Sequence, residues 1–404
     1  MNMTNRLGKV STKTLACAMF LCIAAALAQN ATPPAAQPAT PPAHAPLPPL
    51  PAAMSIPKPG PQTDQPYAPQ PLLQGGIVIP LYAPNSKFLD KGRAHIREPE
   101  QYSMSADVPG RVTNVVNIHN PSIEVHLVEG TLNTGAVVIL APGGGHNTLV
   151  VGTEGVDFVP FFANYGINAV ILRNRLRKDG YDPKTDEVYD AQQAIRMVRA
   201  YAKQFKFDPN KIGIMGFSAG AELAAPAAIS FDTFDQANND PADPFAGISS
   251  RPDFAGIIYP GPSPFTRGAT PPIPHNVPPS FIACAGSGDQ GHAIWADEYF
   301  SAMLAVSAPN LEMHIYAVGH HPGSGSTGGL TDRLNTPYGT WQYRFIDWFR
   351  DLGFMQKPGI ETQAARDVAA YAKNPPRPAR RPAPAPVPGN APGATPPAAP
   401  PANP

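Results

Sequence analysis

Proline decides how much of this chain can pack into a domain. Of its 53 prolines, 28 crowd into residues 29–71 and 374–404. Proline fixes φ and lacks an amide donor, so neither stretch can form a helix interior or a central strand. Both are expected to be extended, semi-stiff and disordered, as a linker over 29–72 and a tail over 374–404. They read as inert disorder or as spacers that contact a cell-envelope layer. Between them, residues 73–373 have ordinary composition, rich in Val, Ile, Phe and Gly, and are numerous enough for one large α/β domain.

Residues 1–28 have the pattern of an export signal. Arg6, Lys9 and Lys13 precede the apolar run LACAMFLCIAAALA, and Ala26-Leu27-Ala28 suits cleavage before Gln29. The run is about 15 residues long, short of the roughly 20 that span a bilayer. An uncleaved anchor is the alternative reading, and neither Cys17 nor Cys22 sits in a lipoprotein-like context. Cleavage leaves Cys284 alone, so no internal disulfide is expected and stability must come from burial. The expected product is a soluble protein, periplasmic or extracellular, with no stable membrane span. Basic and acidic residues balance at 30 each. That leaves no cationic excess for a phosphate backbone, so nucleic acid is not an expected partner.

Within 73–373, apolar runs alternate with helical patterns as a parallel sheet with covering helices requires. Ala136–Leu140, Asn168–Leu172, Ile212–Phe217, Phe254–Tyr259, Phe281–Ala285 and Leu311–Ala317 are the expected strands. Val188, Ala191, Ile195, Val198, Ala202 and Phe205 recur at spacings of three and four, which predicts a helix over 188–205. Further helices are expected near Val156–Tyr165, Ala293–Val306 and 341–354. Residues 231–253 and 260–279, dense in Pro, Asp, Asn and Gly, are expected to be loops over one sheet edge and are candidates for a lid.

Gly216-Phe217-Ser218-Ala219-Gly220 lies between the strand KIGIM and the helix-compatible AELAA. A serine at a sharp strand-to-helix turn is held in a strained backbone above the sheet, with helix amides beside it. Such a hydroxyl needs a base, and the base an orienting acid, in the chain order nucleophile, acid, histidine. Asp289 follows the strand PSFIACA in a glycine-rich loop and is the candidate acid; a capping role is its alternative, with Asp297 and Glu298 as substitutes inside the next helix. After LEMHIYA comes Gly319-His320-His321, which places a histidine where the base belongs and leaves two choices. Pro142-Gly143-Gly144-Gly145-His146 follows AVVILA, and its glycines let amides approach an oxyanion. Gly144, Gly145 and Ala219 are the candidate donors.

The run APGGGH…EG…FANYGINAVILRNRL…YDAQQAIRMVR…DPNKIGIMGFSAGAELAA resembles the α/β-hydrolase carbohydrate esterases. These are the acetyl-xylan-esterase-like proteins also described as xylanase-associated or dienelactone-hydrolase-like. The resemblance covers roughly residues 115–355 and implies the α/β-hydrolase fold, a mostly parallel sheet with helices on both faces. It also implies Ser218 as nucleophile, Asp289 as acid and His321 as base, with His320 on a position the family fills with glycine. Pro142 stands where many relatives carry histidine, and Pro322 replaces a small residue after the base, so the pocket is expected to differ in shape.

Other signals are weaker. The resemblance pairs Glu154-Gly155 with a family Glu-Gly that lines the acyl pocket, although a helix-start glutamate fits equally. His146, His292 and Trp295 are candidate substrate contacts, with core packing as the alternative. Arg173 and Arg175 are expected to pair with Asp190 as structural ions. His314, His320 and His321 lack a further ligand set, and neither HExxH nor a phosphate-loop motif occurs, so no metal and no cofactor are expected. The resulting expectation is an exported serine esterase acting on short acyl esters, acetyl first, of a polysaccharide or small ester. A serine peptidase of the same fold and a non-catalytic envelope or polysaccharide-binding protein are the rivals.

Overall fold

The computed structural model describes residues 46–50 and 69–376, apart from 91, 95–98, 242 and 323–336. The export-signal reading and most of both proline-rich tails lie outside the described residues. Among the described residues ten strands occur in chain order: β1 (Ile77–Pro80), β2 (Gln101–Met104), β3 (Val112–Val116), β4 (Ser122–His126), β5 (Val137–Ala141), β6 (Asn168–Arg173), β7 (Ile212–Phe217), β8 (Ala255–Ile258), β9 (Ser280–Ala285) and β10 (Glu312–Tyr316). Eight of them form one sheet in the order β1-β4-β6-β5-β7-β8-β9-β10, while β2 and β3 make a separate antiparallel ribbon. The strands from β6 through β10 run parallel, and β4 and β1 add an antiparallel margin.

Every residue of β5, β6, β7, β8 and β9 is buried, so both faces of the sheet are covered. This is why these segments read as unbroken apolar runs. β1 and β4 went unread because each is short and β4 carries Glu124. That carboxylate accepts the Leu72 and Leu73 amides at 2.6 and 3.0 Å.

The helices are α1 (Phe158–Ala163), α2 (Val188–Ala200), α3 (Ala221–Ala227), α4 (Phe231–Ala237), α5 (Gln290–Ala305), α6 (Trp341–Asp351) and α7 (Gln363–Lys373). A π turn at Gly152–Val156 leads into α1, and one more turn at Ala202–Phe205 follows α2. Two differences from the sequence reading stand out. Residues 231–237 are helical although their Asp content reads as loop, and α7 was not expected at all. Thr362 caps α7, its hydroxyl accepting the Ala365 amide at 3.0 Å.

Charge inside the frame is paired. Arg175 Nη2 donates to Asp190 Oδ1 at 2.7 Å, and Tyr82 donates to the same carboxylate at 2.9 Å. Arg173 does not join that pair. It faces Glu100 at 3.3 Å and Glu124 at 3.9 Å. Arg173 is opposite Ser122 on the antiparallel neighbour β4, which puts Glu124, two residues along, on the same face, whereas Arg175 lies beyond the end of β6. Residues 46–50 of the proline-rich linker lie on the domain: Leu47 and Leu50 pack against the core, and Tyr201 donates to the Pro48 carbonyl at 2.7 Å. Among the described residues no helix is long and apolar enough to cross a membrane.

Candidate active site

The sheet order fixes where a site belongs. From β5 the chain moves to β6 on one side, then crosses to β7 on the other, so β5 and β7 flank the point where the winding reverses. Clefts open at the carboxyl ends of strands at such a point. The glycine run 142–145 leaves β5 there and Ser218 leaves β7. β8 ends beside Tyr259, β9 leads to Asp289 and β10 leads to His321, all at the same edge.

Ser218 sits at φ +51° between β7 and α3. The turn is closed too tightly for side chains: a Cβ on Gly220 would lie 1.9 Å from the Ala141 carbonyl oxygen. That approach presses α3 against β5 and directs the serine side chain outward. Ser218 Oγ lies 2.9 Å from His321 Nε2, and His321 Nδ1 lies 3.0 Å from Asp289 Oδ2. His320 is exposed, and its backbone bridges to Gly288. A hydroxyl on an imidazole whose far nitrogen meets a carboxylate can surrender its proton as it attacks an electrophilic carbon.

Asp289 precedes α5, yet its side chain caps no helix amide. It accepts instead from two histidines, with His292 Nδ1 at 2.5 Å on the other oxygen. Burial opposes its charge, but those bonds and the nearby imidazoles hold the carboxyl below its usual range. Asp297 and Glu298 lie within α5, as expected of them. The His292 and His321 rings stack at 3.7 Å, and Trp295 sets its ring edge-on to His292 at 5.1 Å. Asp289, His292 and His321 each offer a ligand atom within 4.8 Å of the others. His314, by contrast, bonds Glu312 on β10.

Gly144 has φ +128° and Gly145 φ +62°, conformations that suit residues without side chains. Among the described residues no acceptor takes either amide, which leaves both available to an incoming oxyanion. The Gly143 amide is engaged, donating to Glu154 Oε2 at 2.6 Å. Glu154 Oε1 accepts from the Tyr259 hydroxyl at 3.0 Å. Burial pushes the Glu154 carboxyl up to about 7, only partly offset by those two donors. Glu154 therefore lies beneath the glycine loop and holds it. Tyr259, at φ +36°, also turns its ring edge to His321 at 5.3 Å. Sequence reasoning did not single out Tyr259; its position directly after β8 at this edge was the available signal.

His146 is buried between two carboxylates, Glu187 at 2.8 Å and Glu222 at 3.3 Å. Burial alone would lower its pKa, but the two acids together hold it at about 9. Trp295, Glu222 and Tyr189 join residues of 260–279, among them Pro262 and Arg267, around a cavity of about 780 Å³. It adjoins the Ser218 turn through Gly261, whose amide donates to the Ser218 carbonyl at 3.3 Å. Cys284 is buried in β9 with its thiol pushed up to about 12 by burial, so it offers no competing nucleophile.

Residues 124–254 match the BD-FAE family model. Over 124 residues the chain is 33% identical to endo-1,4-beta-xylanase B of Butyrivibrio fibrisolvens, a stretch covering 30% of this chain and 19% of that protein. Over 127 residues it is 35% identical to an acetylxylan esterase of Xylanibacter ruminicola, covering 31% of this chain and 23% of the other. The chain thus spans about a fifth of the length of these curated relatives. The acetyl ester-xyloside bifunctional hydrolase from Caldicellulosiruptor lactoaceticus superposes with a TM-score of 0.51 at 24% identity, over 69% of this chain and 96% of that one. At that identity the likeness speaks for the fold. With the strand order and the turn at Ser218, the structural likeness gives the chain the α/β-hydrolase fold, while residues 124–254 are similar to the BD-FAE family.

Proposed function

We propose that this protein hydrolyses carboxylic esters through an acyl-enzyme on Ser218. The observation that carries the reading is the continuous path from Ser218 Oγ through His321 to Asp289, at 2.9 and 3.0 Å. His321 takes the serine proton as Oγ attacks the ester carbonyl, and Asp289 orients the ring and stabilises its charged form. The Gly144, Gly145 and Ala219 amides receive the oxyanion. His321 then returns its proton to the departing alcohol, and water repeats the sequence to release the acid.

A short acyl group, acetate first, on a polysaccharide is the proposed substrate. The sequence resemblance and the acetylxylan esterase among the relatives support it. The cavity walled by Trp295 and residues of 260–279 suits the carbohydrate portion. Export to the periplasm or beyond, with the proline-rich tails reaching the envelope, is proposed from the first 28 residues and the tail composition.

The test is hydrolysis of an activated acetyl ester and release of acetate from acetylated xylan, beside fluorophosphonate labelling. Labelling confined to Ser218, together with acetate release, is the expected result. A folded protein that neither labels nor turns over an activated ester would overturn the proposal and favour a binding role.

A further inference from the structure

We propose that Asp289, His292 and His321 form a site for a divalent transition-metal ion such as zinc or cobalt, and that its occupation switches hydrolysis off. The donor set is two imidazole nitrogens and a carboxylate oxygen, all within 4.8 Å of one another. Both rings aim Nδ1 at one carboxylate, His292 at 2.5 Å and His321 at 3.0 Å. They are nearly parallel, 12° apart at 3.7 Å, so the two nitrogens sit side by side. Borderline-soft cations take such nitrogen-rich sets, with water completing a tetrahedron. Calcium and magnesium, which want oxygen shells, do not fit it.

Access and rigidity favour the same reading. The His292 and His321 side chains are 21% and 27% exposed, while Asp289 is 6% exposed. An ion therefore reaches the nitrogens from solvent, and the carboxylate anchors it from below. Asp289 and His292 are one helical turn apart at the start of α5, and Trp295 braces His292. Two of the three ligands are thus pre-positioned by one element.

The inhibitory effect follows from tautomers. Catalysis needs His321 to carry its proton on Nδ1, toward Asp289, and to keep the Nε2 lone pair for Ser218. A metal ion takes the Nδ1 lone pair, so the neutral ring carries its proton on Nε2 instead. No proton is lost; it moves from one ring nitrogen to the other. His321 then meets Ser218 with an N–H and cannot accept the hydroxyl proton. This kinetic consequence rests on the esterase reading above, whereas binding of the ion does not.

Ser218→Ala protein keeps all three ligands and separates the two ideas. Titrated with Co²⁺ alone, it is expected to bind one ion with the visible bands of four-coordinate cobalt. His292→Gln and His292→Asn in that background are expected to weaken binding by at least about tenfold. In protein with Ser218, Zn²⁺ is expected to suppress ester hydrolysis and a chelator to restore it, with His292→Gln raising the inhibitory concentration by a similar factor. Cobalt binding to Ser218→Ala alongside an inactive wild type would remove the esterase reading and leave the metal site standing. Absence of binding by Ser218→Ala that is folded by circular dichroism, or binding indifferent to both His292 substitutions, overturns the site.

Discussion

Two buried carboxylates in this fold are handled in opposite ways. Asp190, in the frame beside β6, receives the Arg175 guanidinium at 2.7 Å, the Arg175 amide at 2.9 Å and the Tyr82 hydroxyl. Glu154, beneath the Ser218 turn, receives among the described residues only the neutral donors of Gly143 and Tyr259. Burial raises the Asp190 carboxyl's pKa, and the Arg175 guanidinium opposes that rise while tying two elements together. A carboxyl met only by neutral dipoles lies close to its ionisation threshold, as the Glu154 value of about 7 indicates. The frame spends its charges on rigidity, and the site keeps an unneutralised acid tied to the loop that must meet an oxyanion.

Substitutions in the two regions should therefore separate rate from stability. Asp289→Asn is expected to lower kcat by about 10⁴ with little change in melting temperature. A collapse of the melting temperature in that variant would erase the division between site and frame. Arg175→Ala acts in the opposite sense. It strands Asp190 without its cation and is expected to cost about 3–5 kcal/mol in urea unfolding, with KM of the folded fraction unchanged.

Glu154 sharpens the contrast through pH. Its folded pKa is raised from 4.5 to about 7, so the folded state holds the proton more tightly than the unfolded chain does. Its contribution is full below about pH 4.5, and stability falls by on the order of 3 kcal/mol as pH rises to about 7. Glu154→Gln, which imitates the protonated acid, should flatten that part of the stability profile measured by denaturant titration. An unchanged slope would mean that another group carries it. The smallest effect is expected at Tyr201→Phe, which removes the bond to the Pro48 carbonyl. About 1 kcal/mol should be lost there, read as a lower melting temperature with hydrolysis untouched.

What could be read in advance follows the same line. The five central strands were legible because burial on both faces leaves an unbroken apolar run, and Ser218, Asp289 and the pair His320-His321 stood out because each follows one of the parallel strands at a single edge. Within the pair, the family resemblance alone pointed to His321. Relations between segments were not legible. Arg173 meets Glu100 and Glu124 rather than Asp190 because antiparallel β4 lies beside β6, and no local pattern announces that neighbour. Glu154 reads as a helix-start acid, and only the packing of β8 brings Tyr259 onto it. His292 carried a local hint, one turn beyond Asp289, but its stacking on His321 depends on a segment 29 residues away in the chain.

The strand that delivers His321 is also the last in the sheet. Among the described residues β10 has a single partner, β9, and its residues are only partly covered, whereas β7, which delivers Ser218, is enclosed by β5 and β8. Strands at a margin open at lower free energy than those at the centre. Gentle warming should then detach the base while the nucleophile stays in place. Activity would fade, reversibly, at temperatures where far-ultraviolet circular dichroism still reports an intact protein, and amide exchange would be fastest along 312–316.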